Sequence, residues 1–182
     1  MYSFTSRLSA IGSHATWVLF VFSVATIIAT HFIYTPEGSA SVRITSIKGV
    51  QRRQEAYTER VVDLAQLRFD VEANLTSLYN WNTKVVYFYL KTEYDSPRTN
   101  KTDKGTRRNE IIVWDKIVKK DSTTFSYKDI KTKYTFYDPG TNFRSRTVKI
   151  SPCWMVINWF GFCPTHCESP VEFTLPKKYI EG

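Results

Sequence analysis

The chain has 182 residues, a net charge of +8 and 15% aromatic side chains. A basic balance of this size admits nucleic acid, anionic lipid headgroups or an acidic protein as partner. No basic helix carries interleaved base-stacking aromatics, so nucleic acid is set aside first.

Residues 15 to 34 contain no Asp, Glu, Lys or Arg. As a helix rising about 1.5 Å per residue, this run covers roughly 30 Å, the hydrocarbon thickness of a bilayer. It is apolar all round, and the remaining chain is too short both to wrap such a helix and to build a sheet domain. A transmembrane helix is the reading. A cleaved signal peptide competes with it, because Gly38, Ser39 and Ala40 offer a small-x-small site. Signal-peptide cores are shorter, about 7–15 residues, and Arg7 is the one basic side chain ahead of this run. An uncleaved signal-anchor is preferred. Arg7 on one side and Glu37, Arg43 and Lys48 on the other do not orient the helix by charge. The long tail does, since long domains cross largely regardless of charge. The expected plan is a cytosolic head at 1–14, a span at 15–34 and a translocated domain at 35–182. Ala25 and Ala29, with Ser23 and Thr26 nearby, make a small-xxx-small pair that suits either helix packing or a plain lipid-facing anchor.

Beyond the span the pattern turns to strands. Leu67, Phe69 and Val71 alternate with Arg68, Asp70 and Glu72, the period of a half-buried strand. Asn74 to Asn82 reads as a short helix-like stretch. Lys84 to Tyr94 is a longer strand, apolar on both faces from Val85 to Leu90 and so central in its sheet. Val86, Phe88 and Leu90 share one of its faces and are expected in the core. Residues 95 to 109 are polar and break the pattern; the basic stretch from Arg98 to Arg108 suits a solvated loop or a lipid contact. Ile111, Ile112, Val113 and Trp114 restart a strand ending near Val118, with Trp114 filling core or interface space. Lys133 to Tyr137 is a strand closed by an Asp138-Pro139-Gly140 turn. Phe143 to Ser151 and Val171 to Leu175 complete the set. Short strands spaced by turns predict a mainly β fold, an antiparallel β-sandwich behind one N-terminal transmembrane helix.

Cys153, Cys163 and Cys167 crowd into one segment. In an oxidising lumen one pair bridges, with Cys153 expected to join one of the other two. With His166 the same thiols form a looser zinc set by ligand type, the weaker alternative. Two glycosylation sequons begin at Asn74 and Asn100. Asn100 lies in an open polar loop, whereas Asn74 sits beside Leu75, Leu78, Tyr79 and Trp81 and is expected to be half-buried or in a helical turn. No phosphate-binding loop, nucleophile elbow, zinc-protease motif or dinucleotide fingerprint is present. His14 and His31 flank or enter the span, which leaves His166 as the one histidine of the β region. No acid–base pair stands out, so an accessory or binding role without metal or cofactor is expected.

Four stretches carry a specific likeness. They are Leu75 to Asn82 (Leu-Thr-Ser-Leu-Tyr-Asn-Trp-Asn), Val85 to Tyr94, Val113 to Ile117 (Val-Trp-Asp-Lys-Ile) and Asp129 to Asp138 (Asp-Ile-Lys-Thr-Lys-Tyr-Thr-Phe-Tyr-Asp). With the early span and the β-rich tail they closely resemble the subunit 3 family of the endoplasmic reticulum signal peptidase complex. The resemblance implies a type II single-pass glycoprotein of the endoplasmic reticulum membrane, with its C-terminal domain in the lumen. It implies a non-catalytic subunit whose domain braces the catalytic signal peptidase subunit, while the span meets lipid and the other small membrane subunits. The family's further sequon is missing, since Phe143-Arg144 follows Asn142, and three cysteines between 153 and 167 depart from its pattern. The competing readings are a membrane-anchored β-sandwich adhesin or receptor, and an anchored enzyme using His166 or a lysine.

Overall fold

The computed structural model describes residues 3–33, 37–53, 61–97, 106–138 and 143–181. Helix α1 covers Phe4–Ile33. It begins earlier than the charge-free run because Ser3 caps it: the Ser6 amide donates to Ser3 Oγ at 3.3 Å and the Arg7 amide to the Ser3 carbonyl at 3.2 Å. Residues 4–14 of the expected head are the first turns of the same helix. Its stretch Phe4–Thr30 has a mean hydropathy of 1.8 and is long and apolar enough to cross a membrane.

Ten strands follow: β1 (Ser39–Arg53), β2 (Val61–Asn74), β3 (Thr83–Pro97), β4 (Thr106–Val118), β5 (Thr124–Lys131), β6 (Phe136–Asp138), β7 (Thr147–Asn158), β8 (Thr165–Cys167), β9 (Val171–Thr174) and β10 (Ile180–Glu181). One sheet runs β10-β1-β2-β5, with β6 also on β2; the other runs β4-β3-β7-β8, with β9 also on β7. Pairing is antiparallel except between β1 and β10. The sheets face each other across one core. Leu67, Phe69 and Val71 of β2 and Val86, Phe88 and Leu90 of β3 are fully buried there. Rings cross the gap edge to face, Phe88 on Phe125 at 5.4 Å and Tyr94 on Phe136 at 5.9 Å. The mainly antiparallel sandwich behind one apolar helix is the fold expected from the pattern, and β3 is central.

Several elements differ from the sequence reading, each for a local reason. β1 escapes it because a bulge between Ile44 and Ser46 shifts the phase, so Val42 and Ile44 point inward, then Ile47. β5 escapes it likewise: its inward residues Phe125 and Ile130 are out of phase across a bulge in its pairing with β2. The polar stretch from 95 does not break the strands at once. β3 and β4 continue to Pro97 and from Thr106, and charge replaces apolar contact along this arm. Glu93 there receives Lys91 at 2.6 Å and Arg108, and these bonds hold its carboxyl below the usual glutamate range. The helix-like stretch is a single 3₁₀ turn, Thr76–Leu78. The strand expected over 133–137 shifts to Phe136–Asp138, because a bulge on β4 leaves the Val113 carbonyl free to take the amides of Lys133 and Tyr134 at 2.9 and 3.1 Å. β7 starts later than expected, at Thr147, and runs past Ser151 to Asn158. Its Pro152 falls where the second neighbour of β7 changes from β9 to β8, a gap that tolerates a missing donor.

Phe88→Ala should cost about 3–5 kcal/mol, because the ring is wholly enclosed. Trp114, half-buried at the rim, should cost less; chemical denaturation of the full chain in detergent gives both values. Cys153 and Cys167 are bonded across β7 and β8 with a sequence separation of 14, and Cys163 is free and exposed. Non-reducing peptide mapping should recover this pair. Cys167→Ser should cost about 3 kcal/mol through the released loop, and Cys163→Ser within about 0.5 kcal/mol of nothing.

Candidate functional site at the junction of helix and sandwich

The last turns of α1 present Ser23, Thr26, Ile27 and Thr30 on one half-buried stripe. The hydroxyls of Ser23, Thr26 and Thr30 donate back to the carbonyls of Leu19, Phe22 and Thr26 at 2.8–2.9 Å, so they cost the helix no unpaired donor. Ala25 is exposed and Ala29 half-buried. The face that meets the sandwich is thus built on Ile27 and Thr30 and not on the alanine pair.

Asn82 fastens the sandwich to that stripe. It lies in the turn before β3, and only 1% of it is exposed. Its Nδ2 donates to Thr30 Oγ1 at 3.2 Å and to the Phe160 carbonyl at 2.8 Å. Its Oδ1 accepts the Phe160 amide at 3.0 Å, and its backbone carbonyl accepts the Trp159 amide at 2.8 Å. The turn itself is fixed from below: Asn80 Oδ1 accepts the Asn82 amide at 2.7 Å, and Thr83 Oγ1 donates to the Leu78 carbonyl at 2.9 Å.

The other half of the junction is the β7–β8 hairpin. The Cys153–Cys167 bond ties its base, and the Val156 amide closes on the Pro164 carbonyl at 3.0 Å. Asn158 Nδ2 donates to the Phe162 carbonyl at 2.9 Å. Gly161, at φ +92°, turns the tip against α1; a Cβ there would stand 3.0 Å from Ile27 Cγ1. Where the chain leaves the helix, Gly38 passes over the Trp154 indole, and a Cβ would come within 2.9 Å of the ring. Trp81, Trp159, Phe160 and Phe162 surround this junction with 53–83% of their surface exposed. Lys84 Nζ sits 4.9 Å from the Trp159 ring centre. The sequence reading missed Asn82, Gly161 and the aromatic tip. The available signal was the absence of any Asp, Glu, Lys or Arg from Ser151 to Cys167.

A second surface lies on the outer face of the β4-β3-β7 sheet. Ile117, Tyr87 and Met155 stand side by side in register, with Val85 and Ile157 next toward the junction. Ile117 is 59% exposed and the others half-buried. At its border Asp115 accepts from Lys133 Nζ at 2.6 Å and the Tyr134 hydroxyl at 2.8 Å. Burial works to raise the Asp115 carboxyl, and these donors outweigh it, leaving its pKa below the usual value.

The remaining predicted residues are scattered. Val86, Phe88 and Leu90 are core, and Trp114 packs edge-on to Phe88 at 6.2 Å. Asn74 is exposed rather than half-buried or helical: it closes β2, and its Oδ1 accepts the Thr76 amide at 3.2 Å. Asn100 and Asn142 lie outside the described residues. Arg108 is strand rather than loop and pairs with Glu93. His166 lies against Trp154, ring centres 5.0 Å apart. The Cys153–Cys167 bond consumes two thiols of the alternative zinc set, and among the described residues no group of three His, Cys, Asp or Glu could hold a metal.

Known proteins are similar to this chain in sequence. A *Gallus gallus* protein named signal peptidase complex subunit 3 is 34% identical over 156 residues, 80% of this chain and 82% of that one. Its *Yarrowia lipolytica* namesake is 30% identical over 156 residues, 83% of this chain and 80% of its own. The *Drosophila melanogaster* namesake is 33% identical over 105 residues, 57% of this chain and 55% of its own. The family described as signal peptidase subunit matches residues 1–178, so helix and sandwich together, and the chain belongs to that family.

Proposed function

We propose that the chain is a non-catalytic accessory subunit of the endoplasmic reticulum signal peptidase complex. In this reading α1 is an uncleaved anchor with its N-terminal end in the cytosol, and the sandwich stands in the lumen as a brace for the catalytic subunit. The observation that carries it is the family match from residue 1 to residue 178, which takes in both α1 and the sandwich. The geometry suits a brace. Aromatic bulk goes into a packed core, and the charged clusters at Glu93 and Asp115 are internal ties. The outer ladder of Ile117, Tyr87 and Met155 is the face we assign to a partner subunit, because half-exposed apolar side chains in register favour a matching surface. An adhesin or receptor would leave the match along the whole chain unexplained. An enzyme built on His166 would have to work with a ring held on Trp154 beside a bonded cysteine.

Purified away from partners, the chain should leave a preprotein uncut. Ile117→Lys combined with Met155→Lys should reduce recovery of the complex and preprotein cleavage together, while denaturation of the full chain shifts by less than about 1 kcal/mol. Normal assembly by this variant would remove the ladder from the interface. Loss of cleavage with normal assembly would point to a direct role in the reaction.

The same reading orders the two sequons. Asn74 pairs with Ser39, the first strand residue after α1. Pro97 and Thr106, which bracket the Asn100 sequon, stand about 45 Å along β3 from Thr83, at about 3.3 Å per residue. Transfer of a glycan should thus favour Asn100, the site farther from the bilayer. Gel shifts of Asn100→Gln and Asn74→Gln after glycosidase treatment read the order. Protease added to sealed microsomes should spare the sandwich.

A further inference from the structure

We infer that the tip of the β7–β8 hairpin, Trp159 to Phe162, together with Trp81, inserts into the bilayer leaflet on the sandwich side. The chain would then enter the membrane twice, once by α1 and once by this hairpin. The inference rests on α1 spanning the bilayer. Gly161 packs on Ile27, and Asn82 bonds Thr30. Ile27 lies about 10 Å before the end of the charge-free run at Tyr34, so the tip sits at the depth of apolar helix and not beyond it.

Two independent features fit lipid rather than water around the tip. First, its side chains are Trp, Phe, Gly and Phe, exposed and set in a stretch from Ser151 to Cys167 that holds no Asp, Glu, Lys or Arg. Trp and Phe in this setting suit the boundary between headgroups and acyl chains, and Lys84 over the Trp159 ring supplies the cation expected at headgroup level. Second, half of the backbone polar groups of the tip are supplied with partners from the protein. The Trp159 amide, both polar groups of Phe160 and the Phe162 carbonyl are each satisfied by Asn82 or Asn158. A loop in water has no need of this, whereas irregular backbone at membrane depth is tolerated only when its polar groups are bonded internally. An apolar partner protein could use the same side chains, but the packing of the tip on α1 makes its exposed surface continuous with the exposed apolar surface of the helix, which faces lipid when α1 spans.

Cys163 adjoins the tip and is free, so the native chain can report its own environment. The full chain is labelled there with a polarity-sensitive fluorophore and reconstituted into phosphatidylcholine vesicles. Quenching by spin-labelled lipid is compared with quenching by iodide present on both sides. Two reference labels are placed, in a Cys163→Ser background, at Val21→Cys in mid-helix and Arg107→Cys at the far end of the sandwich. The Cys163 label should behave like that at Val21: blue-shifted, quenched by lipid and shielded from iodide. Behaviour like that at Arg107 overturns the insertion. Shielding from both quenchers also overturns it, because protein then covers the tip. If the Val21 label is itself open to iodide, α1 does not span and the inference falls with it. Membership of the complex is read separately, from co-purification, and is unaffected by any of these outcomes.

Discussion

The structure depends on one side-chain amide. Asn82 is almost wholly enclosed, and an enclosed amide with unmet bonding capacity is costly. It is met from two distant parts of the chain: α1 through Thr30 and the β7–β8 tip through Phe160. The bonds fix where the sheet starts relative to the helix. β3 grows directly out of this point, and both β4 and β7 are registered on β3. The position of a whole sheet relative to the helix therefore traces back to one residue that no amphipathic pattern would single out.

Around that point the molecule changes character with distance. Near the junction the surface is aromatic, with Lys84 over the Trp159 ring. Along β3 the core is filled by interlocking rings, with Tyr94, Phe136 and Phe143 in mutual edge contact at 4.6–5.9 Å. Toward the β3–β4 end, ion pairs among Lys91, Glu93, Arg108 and Glu110 take over the stitching. Such exposed pairs are individually weak, which suits an arm whose register is already set by backbone pairing.

How much of this is legible in the sequence follows from where the period is regular. β3 is readable because its alternation is unbroken from Val86 to Leu90, and its double-faced apolar run marks it as central. β1 and β5 are not, because each carries a bulge that reverses the inward set partway along. The apolar helix is readable from its lack of charge, while its start is set by a Ser3 cap that hydropathy does not register. Asn82 and Gly161 are hidden for a different reason. Their importance lies in contacts 52 to 134 residues away in sequence, and the residues themselves carry no periodic signal. The resemblance to a known family rests on Leu75 to Asp138, so it included Asn82 without revealing what that side chain holds.

The spacing of the junction along the chain has a consequence for biogenesis. Helix α1 is made first, Asn82 later, and Phe160 a further 78 residues on. Contacts so far apart form slowly, because the intervening chain must be ordered before they add stability. With α1 in the membrane as proposed, its Ile27 and Thr30 stripe is uncovered during synthesis, while the sheet that will cover it is still incomplete. In that interval the stripe is open to other membrane helices and to folding factors. Docking of the aromatic hairpin is the step that ends this interval, and the oxidation of Cys153 with Cys167 at the hairpin's base makes that step responsive to the redox state of the compartment.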